Sequence, residues 1–295
     1  MKKMKTISLA ILISAGIVAC NTQQKSTHNN PQQKEKVMTT KDQKQQVVAL
    51  LKAIETGAQE PVGYINAQNY TQHNLGIADG LAGFGAALQA LPAGSARVNT
   101  VRVFQDGDYV FAHTDYNFFG DKIGFDVFRF ADGKIVEHWD NLQEKPSSPN
   151  PSGRTMTDGT TTVTDLDKTE ANKALVRNFV EDILVNGKMD KLAGYFNGDL
   201  YLQHNPQIPD NLSGLGSALE AMAKQGITMT YSTIHKVLGE GNFVLTISEG
   251  QIGGVHSSFY DLFRVENGKI VEHWDTIEPI APQETWKHQN GKFNF

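Results

Sequence analysis

A single cysteine in 295 residues, Cys20, rules out an intrachain disulfide. Beyond Lys2, Lys3 and Lys5 there is no clustered run of Lys or Arg, and a net charge of -5 makes the chain a poor partner for nucleic-acid phosphates. No apolar run is long enough for a comfortable membrane span. A phosphate-binding loop, a serine-nucleophile motif and a nucleotide fingerprint are also missing. The glycine-rich stretch Gly80-Leu81-Ala82-Gly83-Phe84-Gly85 follows no βαβ strand and reads as a tight turn that opens a helix.

What the sequence does contain is a repeat. Gly133-Lys134-Ile135-Val136-Glu137-His138-Trp139-Asp140 returns as Gly268-Lys269-Ile270-Val271-Glu272-His273-Trp274-Asp275. Upstream, Tyr70-Thr71-Gln72-His73-Asn74 returns as Tyr201-Leu202-Gln203-His204-Asn205. Each half has a Tyr-x-Gln-His-Asn word and a later Glu-His-Trp-Asp word, so one domain is written twice.

Residues 1–19 read as a signal peptide: a basic start, an apolar run from Ile7 to Val18, and small residues before Cys20. Residues 20–46, rich in Gln, Lys, Asn and Thr, read as a disordered tether. Domain 1 is placed at 47–144, opening with the helical spacing of Val47, Leu50, Leu51 and Ile54. A second helix, over Leu81, Phe84 and Leu88, precedes four strands near 98–104, 109–116, 123–130 and 134–142. Their hairpin signals are Asp106-Gly107, Gly120-Asp121 and Asp132-Gly133. A linker is placed at 145–168, domain 2 at 169–282 on the same plan, and a tail at 283–295. The fold class is therefore α+β: two tandem units with helices over the concave face of a curved antiparallel sheet. The outer faces are expected to pack as a pseudo-twofold pair within the chain.

These words, with Asp-x-Phe-Arg and the order of elements, resemble the SnoaL-like polyketide cyclase group of the nuclear-transport-factor-2-like superfamily. The closest likeness is to its branch of predicted aldol-condensation enzymes. The resemblance implies an α+β barrel with an apolar pocket between helices and sheet, and proton transfer next to a carbonyl with no cofactor. Ile17-Val18-Ala19-Cys20 resembles the bacterial lipobox. That likeness implies acylation of Cys20 and a lipid-anchored place in the cell envelope, at the outer membrane if Asn21 acts as the sorting residue. A secreted or periplasmic protein is the alternative.

Along a strand, side chains alternate, so His138 and Asp140 share a face, as do His273 and Asp275. A carboxylate beside an imidazole can orient it and move protons. These four are the first catalytic candidates. His73 and His204, expected near the pocket mouth, and His113, which has Ile247 as its counterpart in repeat 2, complete the catalytic set. Asp126 and Arg129, like Asp261 and Arg264, are expected to form a structural cross-strand ion pair. His73, His113, His138 and Asp140 could in number and type hold a metal, but no helical His spacing or Cys ligand supports one. No metal or cofactor is assigned. The expected partner is a small apolar substrate; a binding lipoprotein that does not turn its ligand over is the alternative.

Overall fold

The computed structural model describes residues 31–295 apart from position 93. The signal segment, Cys20 and the first part of the tether lie outside the described residues.

Domain 1 contains α1 (Pro31–Thr56), a two-residue strand β1 (Thr71–Gln72) and α2 (Gly80–Ala90). Its meander follows as β2 (Arg97–Asp106), β3 (Tyr109–Asn117), β4 (Asp121–Ala131) and β5 (Lys134–Glu144). Domain 2 repeats the plan with α3 (Thr169–Phe179), a π-helical turn at Val180–Val185, α4 (Leu192–Tyr195), β6 (Leu202–Gln203) and α5 (Leu212–Lys224). It ends in β7 (Met229–Glu240), β8 (Phe243–Ile252), β9 (Val255–Glu266) and β10 (Lys269–Pro279). The two sheets have the orders β1-β5-β4-β3-β2 and β6-β10-β9-β8-β7.

Local chemistry explains the meander. Asp132 and Gly133 both take positive φ (50° and 73°), as do Asn267 and Gly268 (51° and 70°). Two adjacent left-handed residues match the twist of a tight hairpin, and only Gly, Asn and Asp accept them readily. The repeated words are thus launched in the same register in both halves.

Helix α1 covers Pro31–Thr56, so residues 31–46 are helical where the composition suggested a disordered tether. Low apolar content weighs against an independent core, but Gln, Lys and Glu are good helix formers. This segment extends the helix whose buried Val47, Leu50 and Leu51 already pack on the sheet. Lys44 then pairs with Glu240 at 2.7 Å, and Gln43 accepts from the Gln105 amide at 2.6 Å. The Tyr-x-Gln-His-Asn words form short edge strands: Thr71-Gln72 pairs parallel with β5, placing Gln72 opposite His138, and Leu202-Gln203 pairs with β10 in the same way.

The outer faces of the two sheets meet in one apolar layer: Phe104, Phe111, Phe125, Val127 and Trp139 from domain 1 against Leu238, Phe243, Leu245, Ile247 and Trp274 from domain 2. The connections seal this layer. Residues 145–168, read as an interdomain spacer, lie against domain 2. There Asn150 donates to the Gln203 and Ile208 carbonyls, and Arg154 pairs with Asp210 at 2.9 Å. The tail crosses the other way, where Asn290 donates to the Gln72 carbonyl at 3.0 Å. Polar, glycine-containing chain does this because its backbone carbonyls satisfy donors buried at the seam.

Candidate active site

Strand parity sorts the repeated word between two environments. On β5, His138 and Asp140 face the helices, whereas Glu137 and Trp139 face the other way. The inward pair lines a cavity of about 360 Å³ in domain 1. Its walls include Leu50, Leu51 and Ile54 of α1 and Phe84 and Leu88 of α2, with Phe119 at the β3–β4 turn. Its polar end is formed by Asn74, Tyr116, Asp126, His138 and Asp140. An apolar chamber with a few convergent polar groups is what a small-molecule site requires.

The hydrogen bonds at that end determine where protons can sit. Gln72 Oε1 accepts the backbone N–H groups of His73 and Asn74 at 3.0 and 2.9 Å, which fixes the orientation of its amide. The same oxygen lies 3.0 Å from His138 Nδ1, so that nitrogen donates. His138 Nε2 then faces Asp126 Oδ1 at 3.2 Å with one proton between them. Tyr116 donates to the other Asp126 oxygen at 2.6 Å. Burial pushes the Asp126 carboxyl above its ordinary range, against the pull of His138 and with Asp140 adding to the rise. Asp140 takes one bond, from Asn74 Nδ2 to Oδ2 at 2.6 Å. Its Oδ1 is buried with no hydrogen-bond donor among the described residues, and the Lys292 ammonium lies 3.8 Å away.

Domain 2 has the same network: His273 lies between Gln203 Oε1 (2.9 Å) and Asp261 Oδ1 (3.0 Å), and Asn205 donates to Asp275 at 2.7 Å. Its surroundings differ. Phe259 stands on β9 where domain 1 has Gly124 on β4, as the pairings Phe259↔Ile277 and Gly124↔Leu142 show. Phe259 is fully buried and packs 4.4 Å from the Tyr231 ring. A Cβ at Gly124 would come within 2.5 Å of Leu142 Cδ2 and 3.0 Å of the Tyr116 ring. Leu142 and Tyr116, which line the domain 1 cavity, thus already fill the space that a side chain at Gly124 would need. Burial also pushes the Asp275 carboxyl up, with Asp261 acting in the same direction.

Three expected catalytic histidines do not join these sites. His73 faces outward, with Nε2 2.8 Å from Glu137, Nδ1 2.7 Å from the Gly291 carbonyl, and its ring stacked on Trp139 at 4.6 Å. His204 repeats this with Glu272, the Thr155 carbonyl and Trp274. In each word the inward residue is Gln and its neighbour His must point outward. His113 pairs in register with Phe125, stacks on it at 4.3 Å and lies 3.3 Å from Arg102 in the layer between the sheets. Burial, with Arg102 and His204 nearby, holds it well below the usual imidazole range.

The expected Asp126–Arg129 pair is also absent, because residues three apart on a strand lie on opposite faces. Arg129 bonds Glu137 at 2.7 Å, and Arg264 bonds Glu272 at the same distance. Burial opposes the charge on Glu137, but the bonds from His73 and Arg129 outweigh it and hold its carboxyl low. Asp126, Tyr116 and Gln72 were missed as site residues. Carrying the Asp140 parity across the β4–β5 hairpin would have placed Asp126 beside it, since the two pair directly.

Ligand atoms of Asp126, His138 and Asp140 lie within 4.8 Å of one another, as do those of Asp261, His273 and Asp275. In domain 1 both His138 nitrogens and both Asp126 oxygens are already engaged, and the free Asp140 oxygen faces an ammonium that a metal ion would have to displace. The set fits a proton network better than a cation site.

Two cone-shaped α+β domains, each with a buried His–carboxylate network, define the class. Residues 47–138 and 176–273 both match the SnoaL-like domain, and the chain belongs to that family. Among solved structures it is similar to TsrD from Streptomyces laurentii, at 18% identity over 34% of this chain and 86% of that one, with a TM-score of 0.30. It is also similar to an LEH-like epoxide hydrolase from M. tuberculosis, at 23% identity over 38% and 85%, TM-score 0.29. An NTF-2 like protein of unknown function from Burkholderia xenovorans LB400 gives 15% identity over 38% and 91%, TM-score 0.33. No curated protein matched the chain.

Because Leu142 and Tyr116 pack over Gly124 and line the cavity, Gly124→Leu pushes them into it and lowers affinity for 2-naphthol about tenfold or more, a loss of about 1.4 kcal/mol, in a fluorescence titration. Unchanged affinity places the ligand elsewhere. Asp275 gives a stability test with a defined sign. Its folded-state pKa is raised, so above about pH 4 the native state binds more protons than the unfolded chain and stability falls as pH rises. Asp275→Asn cannot ionise. It should therefore gain on the wild type in urea unfolding as pH rises from about 4 to 8, and a constant difference across that range contradicts a buried, proton-retaining Asp275.

Proposed function

We propose that domain 1 catalyses cofactor-independent proton transfer at a carbon next to a carbonyl in a small, largely apolar substrate. The observation that carries this reading is Asp140 Oδ1, a buried carboxylate oxygen with no donor, at the polar end of an apolar cavity beside a His–carboxylate pair that shares a proton. A base needs a free lone pair within reach of the C–H bond, and Oδ1 supplies it. Asp140 takes the proton and the C–H electron pair moves into the carbonyl, placing negative charge on oxygen. Asp126, which accepts the Tyr116 hydroxyl and shares a proton with His138, faces that charge; the shared proton passes to the oxygen, or the proton held by Asp140 is returned to another carbon. Cyclisation, aldol chemistry and isomerisation all begin this way. Family membership supports this cofactor-free kind of enzyme.

We also propose that Cys20 is acylated and tethers the domains to the bacterial cell envelope. The support is the sequence Ile17-Val18-Ala19-Cys20 at the end of the apolar run. Mass spectrometry of the membrane-extracted N-terminus should find Cys20 as the first residue, bearing two or three acyl chains; a free internal thiol contradicts it.

The catalytic reading is tested by incubating apolar ketones, β-keto compounds and enols in D₂O and following exchange of the C–H next to the carbonyl by NMR. Wild type should accelerate exchange for some members of the panel, and Asp140→Asn should reduce that rate about 10²- to 10⁴-fold. Equal rates remove Asp140 from the mechanism. Binding without exchange anywhere in the panel favours a carrier protein.

A further inference from the structure

The tails after the two sheets are exchanged. Residues 145–163 leave domain 1 and lie on domain 2, whereas the C-terminal tail leaves domain 2 and lies on domain 1. They dock in matching register. His73 Nδ1 meets the Gly291 carbonyl and Trp139 Nε1 donates to the Asn294 carbonyl, three residues on. In the other half, His204 Nδ1 meets the Thr155 carbonyl and Trp274 Nε1 donates to that of Asp158, again three residues on. Gly291 therefore corresponds to Thr155, and the next residue, Lys292, corresponds to Met156. Both are buried, at 5% and 3% exposure. Equivalent docking thus puts a cation beside one site and a thioether in the matching place of the other.

Lys292 forms an ion pair with Glu278, and its ammonium is 3.8 Å from Asp140 Oδ1. Burial works against its charge, but the Glu278 and Asp140 carboxylates outweigh that and keep it protonated. The ionisable groups around Asp140 are Tyr70 near β1, Tyr116 on β3, Asp126 on β4, His138 on β5, Tyr260 on β9, Glu278 on β10 and Lys292 in the tail. Lys292 is the one Lys or Arg among these described groups. A carboxylate this deeply buried is costly unless an opposite charge lies close, and Lys292 places one 3.8 Å away. The distance is also too long for a hydrogen bond, so Oδ1 keeps its lone pair.

We propose that Lys292, brought in by the tail of domain 2, is a positioning residue of the domain 1 site, holding Asp140 as a carboxylate while leaving Oδ1 free to accept a proton. This rests on the reading of Asp140 as the base. It makes the second domain part of the first domain's site, with its tail supplying a charge that the repeated words alone do not. It also separates the halves, since Asp275 has the same Asn partner but Met156 in the corresponding tail position.

The test needs no substrate. In the full chain with ¹³C-labelled Asp side chains, carboxyl NMR titration follows Asp140 and Asp275 separately, each assigned through its Asn variant. Lys292→Met should raise the Asp140 midpoint by about one pH unit or more and leave Asp275 in place, whereas Lys292→Arg keeps the wild-type midpoint. If Lys292→Met does not fold, Lys292→Gln, which keeps a donor for Glu278 and removes only the positive charge, should move Asp140 upward in its place. An unmoved Asp140 midpoint in either folded variant overturns the proposal. Because the readout is independent of turnover, a shifted midpoint without exchange activity sinks only the catalytic reading. Exchange activity with no shift sinks only the role of Lys292.

Discussion

A β-strand offers each of its faces only every second residue, and both copies of Glu-His-Trp-Asp are divided by that rule. Glu137 and Trp139 face the partner sheet, where they hold His73, Arg129 and the C-terminal chain. His138 and Asp140 face the helices. The strand that carries the site is thus held from behind, because Glu137 and Trp139 bind the seam while His138 and Asp140 form the site. A one-residue slip in β5 would exchange an apolar seam for a charged one and empty the cavity of its proton carriers.

Duplication has given one network and two fillings. The hydrogen bonds around His138 and His273 agree within a few tenths of an ångström, so the proton path is the part held in common. The surroundings diverge: Leu142 and Tyr116 close over Gly124 where domain 2 has the Phe259 ring against Tyr231, and Lys292 lies beside Asp140 where the matching tail position is Met156. The exchanged tails make separation of the halves expensive, because each completes the outer face of the other.

Much of the fold was legible because its signals are local. Period-two apolar alternation, the Asp-Gly and Asn-Gly hairpins and the repeat itself require no knowledge of distant contacts. The site was legible only in part. His138, Asp140, His273 and Asp275 followed from parity within one strand. Asp126 required parity to be carried across a hairpin. His73, His113 and His204 were misplaced because a histidine looks chemical wherever it stands, and only register shows which side of a sheet it occupies. Lys292 gave no sequence signal at all, since its partner is a separate strand reached by a tail. Residues 31–46 looked unstructured because composition cannot show that a polar segment continues a helix anchored further on.

The central claim is that Asp140 and the Asp126–His138 pair work on an oxygen-bearing ligand in the domain 1 cavity. The most direct measurement is a crystal structure of the chain with a phenol that mimics an enol. The account predicts the ring between α1 and α2 and its oxygen within about 3 Å of Tyr116 or Asp126. A phenol bound with its oxygen against the apolar walls, or bound only outside that cavity, would contradict it.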